Sequence, residues 1–157
     1  MQLDHGTWVV VADGEKFLLL RNIGDQDFMH LEVVDHETST NAPARELASD
    51  RAGRQQDAKR KEGGGVETWG KSAMQETDWH RVAEERFAED VAERLLEWRS
   101  AGRFRHLLVI ADPRSLGAMR NVYDDRLASA IVAEIDKDLT NLPLNRIEAA
   151  IKAWDAS

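Results

Sequence analysis

Residues 105–120, RHLLVIADPRSLGAMR, decide the fold. Leu107, Leu108, Val109 and Ile110 form an apolar run with no charge inside it. Such a run suits a strand buried on both faces. Asp112-Pro113 ends it. Proline disfavours the helical region for the residue before it and suits the first turn of a helix, with Asp112 or Ser115 as the cap. The stretch therefore predicts a strand, a sharp corner and a helix N-terminus. In open α/β sheets that corner is where ligands most often sit. Asp112, Arg114 and Arg120 are its candidate residues, and His80, at the start of the preceding helix, is a fourth.

Upstream, Trp8 to Val11 and Phe17 to Leu20 flank Asp13-Gly14, a strong hairpin signal. Strands are expected near 6–13 and 15–22, with a third near 28–36 after the turn at Gly24-Asp25. Ala83, Phe87, Val91, Leu95 and Trp98 make one apolar stripe and predict a helix over 77–101, stopped by Gly102. Downstream, Leu116, Met119, Tyr123 and Leu127 predict a helix near 114–128, and Pro143 opens a last helix bearing Ile147, Ile151 and Trp154. The segment from Ile131 to Leu139 fits a strand or a continued helical stripe equally well. The whole is an α/β domain: a three-strand antiparallel meander plus one or two further strands, covered by three helices. A right-handed parallel crossover is expected between the third and fourth strands.

At 157 residues the chain is expected to form one domain with a real core. It has no cysteine, which excludes disulfides and cysteine-ligated zinc. The net charge of −8 argues against broad adhesion to nucleic acid or anionic membrane but leaves room for a local basic patch. The first residues lack a basic segment followed by an apolar core, and no apolar run reaches membrane-span length, so a cytoplasmic location with no membrane partner is expected.

Residues 41–76 differ from the rest. Pro43, Gly53, Gly63-Gly64-Gly65 and Gly70 fall in a stretch dense in charge and poor in apolar residues, which reads as a long loop. From Arg45 to Lys71 there are seven basic and five acidic residues, +2 locally in a chain of −8. Arg54, Lys59, Arg60 and Lys61 precede Gly63, Gly64 and Gly65. Cations of this kind contact phosphates, and the glycines let backbone approach a ligand closely.

Established chemical motifs are missing. There is no G-x-G-x-x-G, P-loop or G-x-S-x-G, and His5, His30, His36, His80 and His106 show no helical metal spacing. No catalytic residue, metal or cofactor is assigned. A two-metal nuclease of ribonuclease-H-like layout would need convergent carboxylates. Asp13 and Asp112 lie at strand ends, with Asp35 or Glu93 as further acids, yet Asp13 reads better as a turn residue and Asp112 as a helix cap.

Five segments taken together carry a resemblance: VVVADGEKFLLL at 9–20, D-R-x-G-R at 50–54, RFAEDVAERLLEW at 86–98, HLLVIADPRSLGAMR at 106–120 and EIDKDLTNLP at 134–143. In this order the chain resembles the bacterial host-attachment protein family, which is in turn similar to the middle domain of archaeal and eukaryotic peptide-chain release factors. The resemblance implies that Ile131 to Asp136 is a strand. It also implies that the loop between the third strand and the first helix corresponds to the one carrying a Gly-Gly-Gln tip in release factors. Here that loop reads Arg60-Lys61-Glu62-Gly63-Gly64-Gly65-Val66, with Gly65 or Val66 where the glutamine would stand. The resemblance thus points to a non-enzymatic domain that contacts RNA or the ribosome, with attachment to host cells affected indirectly. A hydrolase of peptidyl-tRNA or another ester, and a protein-interaction domain without a nucleic-acid ligand, are the alternatives. The oligomeric state is not readable.

Overall fold

The computed structural model describes residues 1–39 and 65–154, with backbone alone for 65–77. The elements are β1 (Trp8–Ala12), β2 (Lys16–Asn22), β3 (Leu31–Thr38), α1 (Gly65–Ser100), β4 (Leu107–Ala111), α2 (Pro113–Arg120), α3 (Asp125–Ala130), β5 (Ile131–Ile135) and α4 (Leu144–Ala153). They build one mixed sheet in the order β3-β2-β1-β4-β5. β1 pairs antiparallel with β2 and parallel with β4, in register from Trp8↔Leu107 to Ala12↔Ala111. β2 and β3 are antiparallel, with Val34 an extra residue at a bulge opposite Leu19/Leu20. β4 and β5 are parallel. Of the segment from Ile131 to Leu139 that fits strand or helix equally well, Ile131–Ile135 is a strand and 136–139 are irregular.

Both faces of the sheet are covered, which explains the unbroken apolar runs of β1 and β4. Trp8, Val10, Leu19, Leu107 and Val109 face α1, α2 and α3 through Phe87, Val91, Leu95, Leu116, Met119 and Leu127. Val9, Val11, Leu20, Leu108 and Ile110 face Ile147 and Ile151 of α4 on the other side. Every residue of β1 and β4 is buried. At the amino edge of the sheet Trp8 stacks on Phe104, ring centroids 4.9 Å apart, and meets Trp98 edge-on at 5.7 Å. Arrangements of this kind add to the simple burial of apolar area.

Three expectations need correction. The long helix begins at Gly65, not 77, so residues 65–76 of the expected loop are helical and residues 40–64 lie outside the described residues. The helix expected over 114–128 is two helices, which makes four among the described residues rather than three. α2 ends at Arg120, and Asp124 starts α3 afresh by accepting from the Leu127 N–H at 2.7 Å. The apolar stripe survives the break, because Leu116, Met119 and Leu127 are all buried. The third strand begins at Leu31 rather than 28. Asp25 Oδ1 accepts from the N–H groups of Asp27 (3.0 Å) and Phe28 (2.8 Å), and this side-chain turn leaves Phe28 77% exposed.

Asn22, the last residue of β2, is fully buried and polar. Its Nδ2 donates to the Leu3 carbonyl at 3.0 Å, and its Oδ1 accepts from the Gly24 and His30 N–H groups, both at 3.0 Å. One side chain thus ties the start of the chain to the β2–β3 turn. Removing it takes the side-chain partner from one buried and two part-buried backbone groups at once.

α1 also seats tightly on the β1–β2 turn. A Cβ on Gly14 would stand 2.5 Å from the Cβ of Glu84, on the helix itself. Gly14→Ala should therefore push α1 off its seat and cost about 1–3 kcal/mol, measured by chemical denaturation. Asn22→Ala should cost about 2–4 kcal/mol through the lost hydrogen bonds. A Gly14→Ala protein as stable as wild type would show that the helix is not held against that turn.

Candidate functional site

From β1 the chain turns to β2 on one side, and from β4 it passes through α2 and α3 to β5 on the other. The carboxyl ends of β1 and β4 are therefore a topological switch point, where a crevice opens in doubly wound sheets. A cavity of about 420 Å³ lies there, lined by Asp13, Glu15, Glu84, Asp112, Arg114 and Asp138 among others.

The carboxylates have defined tasks. Asp13 Oδ1 accepts from the N–H groups of Glu15 (2.7 Å) and Lys16 (2.8 Å), which closes the hairpin turn. Thr140 Oγ1 stands 2.9 Å from Asp13 Oδ2 and 2.7 Å from Asp138 Oδ1. A hydroxyl has one proton, so it donates to one of these two at a time. Asp112 Oδ2 accepts from the Ser115 N–H at 3.2 Å as the N-cap of α2. Asp112 Oδ1 is buried with no hydrogen-bond partner among the described residues. Arg114 Nη1 stands 3.6 Å from Glu84 Oε1. The turn and cap roles read from the sequence for Asp13 and Asp112 are the observed ones. No group of three or more histidine or acidic side chains converges on a metal position among the described residues. Asp35 lies on the edge strand and Glu93 on an exposed position of α1, so neither joins Asp13 and Asp112.

Of the four corner candidates, Asp112 and Arg114 line the crevice. His80 is exposed on α1, one turn before Glu84 and so on the same helical face. Arg120 is elsewhere. It ends α2 and donates from Nε (3.0 Å) and Nη2 (2.7 Å) to Glu134 Oε1 on β5. Arg54, Lys59, Arg60, Lys61, Gly63 and Gly64 lie outside the described residues, and Gly65 is the first residue of α1. Sequence reading missed Asp138 and Thr140, which reach the corner from the connection after β5. The available signal was Asp138-x-Thr140 ahead of Pro143, where Asp138 Oδ1 accepts from the Thr140 N–H at 3.1 Å in a local turn.

Electrostatically the crevice carries Asp13, Glu15, Glu84, Asp112 and Asp138 against Arg114, a lining that repels phosphate and attracts cations. The chain leaves this same edge at Ser39, whose N–H donates to the Glu15 carbonyl at 2.6 Å. It re-enters through α1. At 36 residues α1 is about 54 Å long, roughly three times the length of a five-residue strand. Among its described side chains, from Asp78 onward, the buried ones run from Phe87 to Leu95, while Trp79 and Val82 are 57% and 44% exposed. No described helix is both long and apolar enough to cross a membrane.

A family model described as bacterial archaeo-eukaryotic release factor family 12 matches residues 6–151. The release-factor likeness of the sequence is thereby shown, and attachment to host cells is no part of that description. No curated protein matches the chain.

Two substitutions test the roles assigned above. Asp112→Ala should lower stability by about 1 kcal/mol through loss of the cap, while Asp112→Asn, which keeps an acceptor, should lower it by a few tenths at most. Equal stability of Asp112→Ala and wild type in denaturant would overturn the capping role. Beside Arg120, burial first and the Glu134 carboxylate second push the Tyr123 phenol above its usual range. The fold thus favours the neutral phenol. The stability this contributes is complete below the unfolded pKa of about 10 and is lost as pH rises beyond it. In alkaline unfolding titrations Tyr123→Phe should show a shallower decline above that pH than wild type.

Proposed function

The chain belongs to bacterial archaeo-eukaryotic release factor family 12, and from that premise we propose that it is a non-enzymatic, cytoplasmic domain that contacts RNA or the ribosome through its charged, glycine-bearing segment. The observation that carries this reading is the point of departure of that segment. It leaves the sheet at the switch-point edge and returns through a helix on which Trp79 and Val82, ahead of its buried stretch, are exposed. Arg54, Lys59, Arg60 and Lys61 would meet phosphates, and Gly63, Gly64 and Gly65 would let the backbone come close. The acidic lining of the crevice fits a division of labour in which the crevice anchors and the segment makes the contacts.

Hydrolysis of peptidyl-tRNA in the manner of release factors would require the glutamine that the chain replaces by Gly65 or Val66. In this reading any influence on attachment to host cells lies downstream of translation. A second reading, a protein partner in place of RNA, draws on the same acidic crevice, which suits a cationic surface.

Phosphate contacts predict affinity that falls steeply with salt. Purified protein should co-sediment with ribosomes at low salt and dissociate as salt is raised. Lys59→Gln/Arg60→Gln/Lys61→Gln should lower the affinity at least about tenfold. Absence of association at low salt would overturn the proposal, and recovery of one protein partner with no RNA would favour the second reading.

A further inference from the structure

The arginines of the described residues divide into two groups. Arg21, Arg81, Arg94, Arg114 and Arg120 each meet a carboxylate. Arg86 on α1, Arg146 on α4, and Arg99, Arg103, Arg105 and Arg126 have no ion pair among the described residues, and the last four lie together at the amino edge of the sheet, opposite the acidic crevice. They form one strip. Arg99 Nη1 donates to the Phe104 carbonyl at 3.2 Å and Nε to the Arg126 carbonyl at 3.4 Å, while Arg126 Nη1 donates to Ser100 Oγ at 3.1 Å. These acceptors are neutral, so they hold the guanidinium groups in place and leave their charge uncompensated.

Next to the strip, a cavity of about 340 Å³ opens between residues 4–7 and 102–106, with Arg103, Arg105, His5 and His106 in its lining. Gly6 and Gly102 have φ of 87° and 74°, and nothing lies within 4 Å of where a Cβ would project, so their backbone is open to a ligand. The one carboxylate of the lining, Asp4, is engaged by Gln26 Nε2. Asp124 and Asp125 border the strip on α3, and Asp124 is occupied in capping Leu127.

We propose that this amino-edge strip of Arg99, Arg103, Arg105 and Arg126 is a second nucleic-acid surface, which holds the phosphodiester backbone of RNA without reading its bases. The proposal rests on RNA being the partner, as in the preceding section, but on different residues at the opposite edge. Neutralisation of the α1 C-terminus accounts for Arg99 in its last turn. It does not account for Arg103 and Arg105, which lie beyond the Gly102 stop, are exposed and make no side-chain hydrogen bond among the described residues. A strip crossing two helices and the loop into β4 exceeds a single phosphate and suits successive ones. Phe104 is buried and Trp98 half-buried, so no exposed phenyl or indole ring in the strip offers a stacking platform for bases, and the exposed rings beside it are the imidazoles of His5 and His106. An anionic membrane fits less well, because Ile23 and Phe28, the exposed apolar residues at this edge among those described, share their turn with Asp25 and Asp27.

The test uses the full chain, a fluorescein-labelled RNA hairpin and, in parallel, vesicles containing phosphatidylserine. Arg103→Gln/Arg105→Gln should keep the thermal midpoint of wild type. It should lose at least about tenfold in RNA affinity at low salt, and its slope of log affinity against log salt should flatten by about 1.4–1.8, the share of two phosphate contacts. Lys59→Gln/Arg60→Gln/Lys61→Gln is measured alongside. Loss in the double variant alone supports the amino-edge surface and removes the segment from the reading above. Loss in the triple variant alone overturns the amino-edge surface and leaves that reading intact. Loss in both supports both. Binding to vesicles without RNA overturns the proposal in favour of a membrane contact, and no RNA binding by wild type overturns both.

Discussion

Two five-residue strands, WVVVA and LLVIA, lie parallel and in register at the centre of the sheet, and the rest of the molecule depends on that pairing. Every side chain on both is buried, so helices have to cover each face. A parallel pair needs a crossover, because no tight turn can join its strands. The chain makes that crossover through α1 and brings β4 in beside β1. With β2 already on the other side of β1, the pairing places the switch point between Ala12 and Ala111. The residues that follow each strand, Asp13 and Asp112, are thereby set next to one another at the mouth of a crevice.

The same pairing separates charge. At the carboxyl edge, acids follow the strands and serve as turn and cap acceptors, and the crevice is negative. At the amino edge, the residues leading into β4 and the end of α1 supply arginines held by carbonyl and hydroxyl oxygens. A net charge of −8 conceals this division. Anions and cations are directed to opposite ends of one sheet, and a polyanion that touches the domain has one end that welcomes it.

Much of the architecture was legible because each strand carries its own signal. Asp13-Gly14 marks the hairpin, and Asp112-Pro113 marks both the end of β4 and the cap of α2. Where reading failed, a side chain competed with a periodic pattern. Asp124 restarts a helix inside a continuous apolar stripe, and Asp25 draws Phe28 into a turn instead of a strand. The start of α1 was hidden because glycines and charges resemble a loop, whatever the backbone does. The site was harder. Asp112 and Arg114 could be placed from the strand–corner–helix pattern, but Asp138 and Thr140 reach the crevice only through the position of β5, which no local pattern fixes. Arg120 was drawn to the corner by nearness in sequence, whereas eight residues of helix carry it to the far end, beside Glu134.

The bulge at Val34 has a consequence for life at high concentration. β3 is an outer strand with Val33 and Val34 exposed, the kind of rim on which a second sheet could grow. The additional residue breaks the regular spacing of the outward-facing amide and carbonyl groups and twists the strand locally. Glu32 and Glu37, each paired with an arginine, and Asp35 place charged groups where an identical rim would have to lie. Backbone shape and the cost of desolvating those charges both work against stacking of copies into ribbons along this apolar rim.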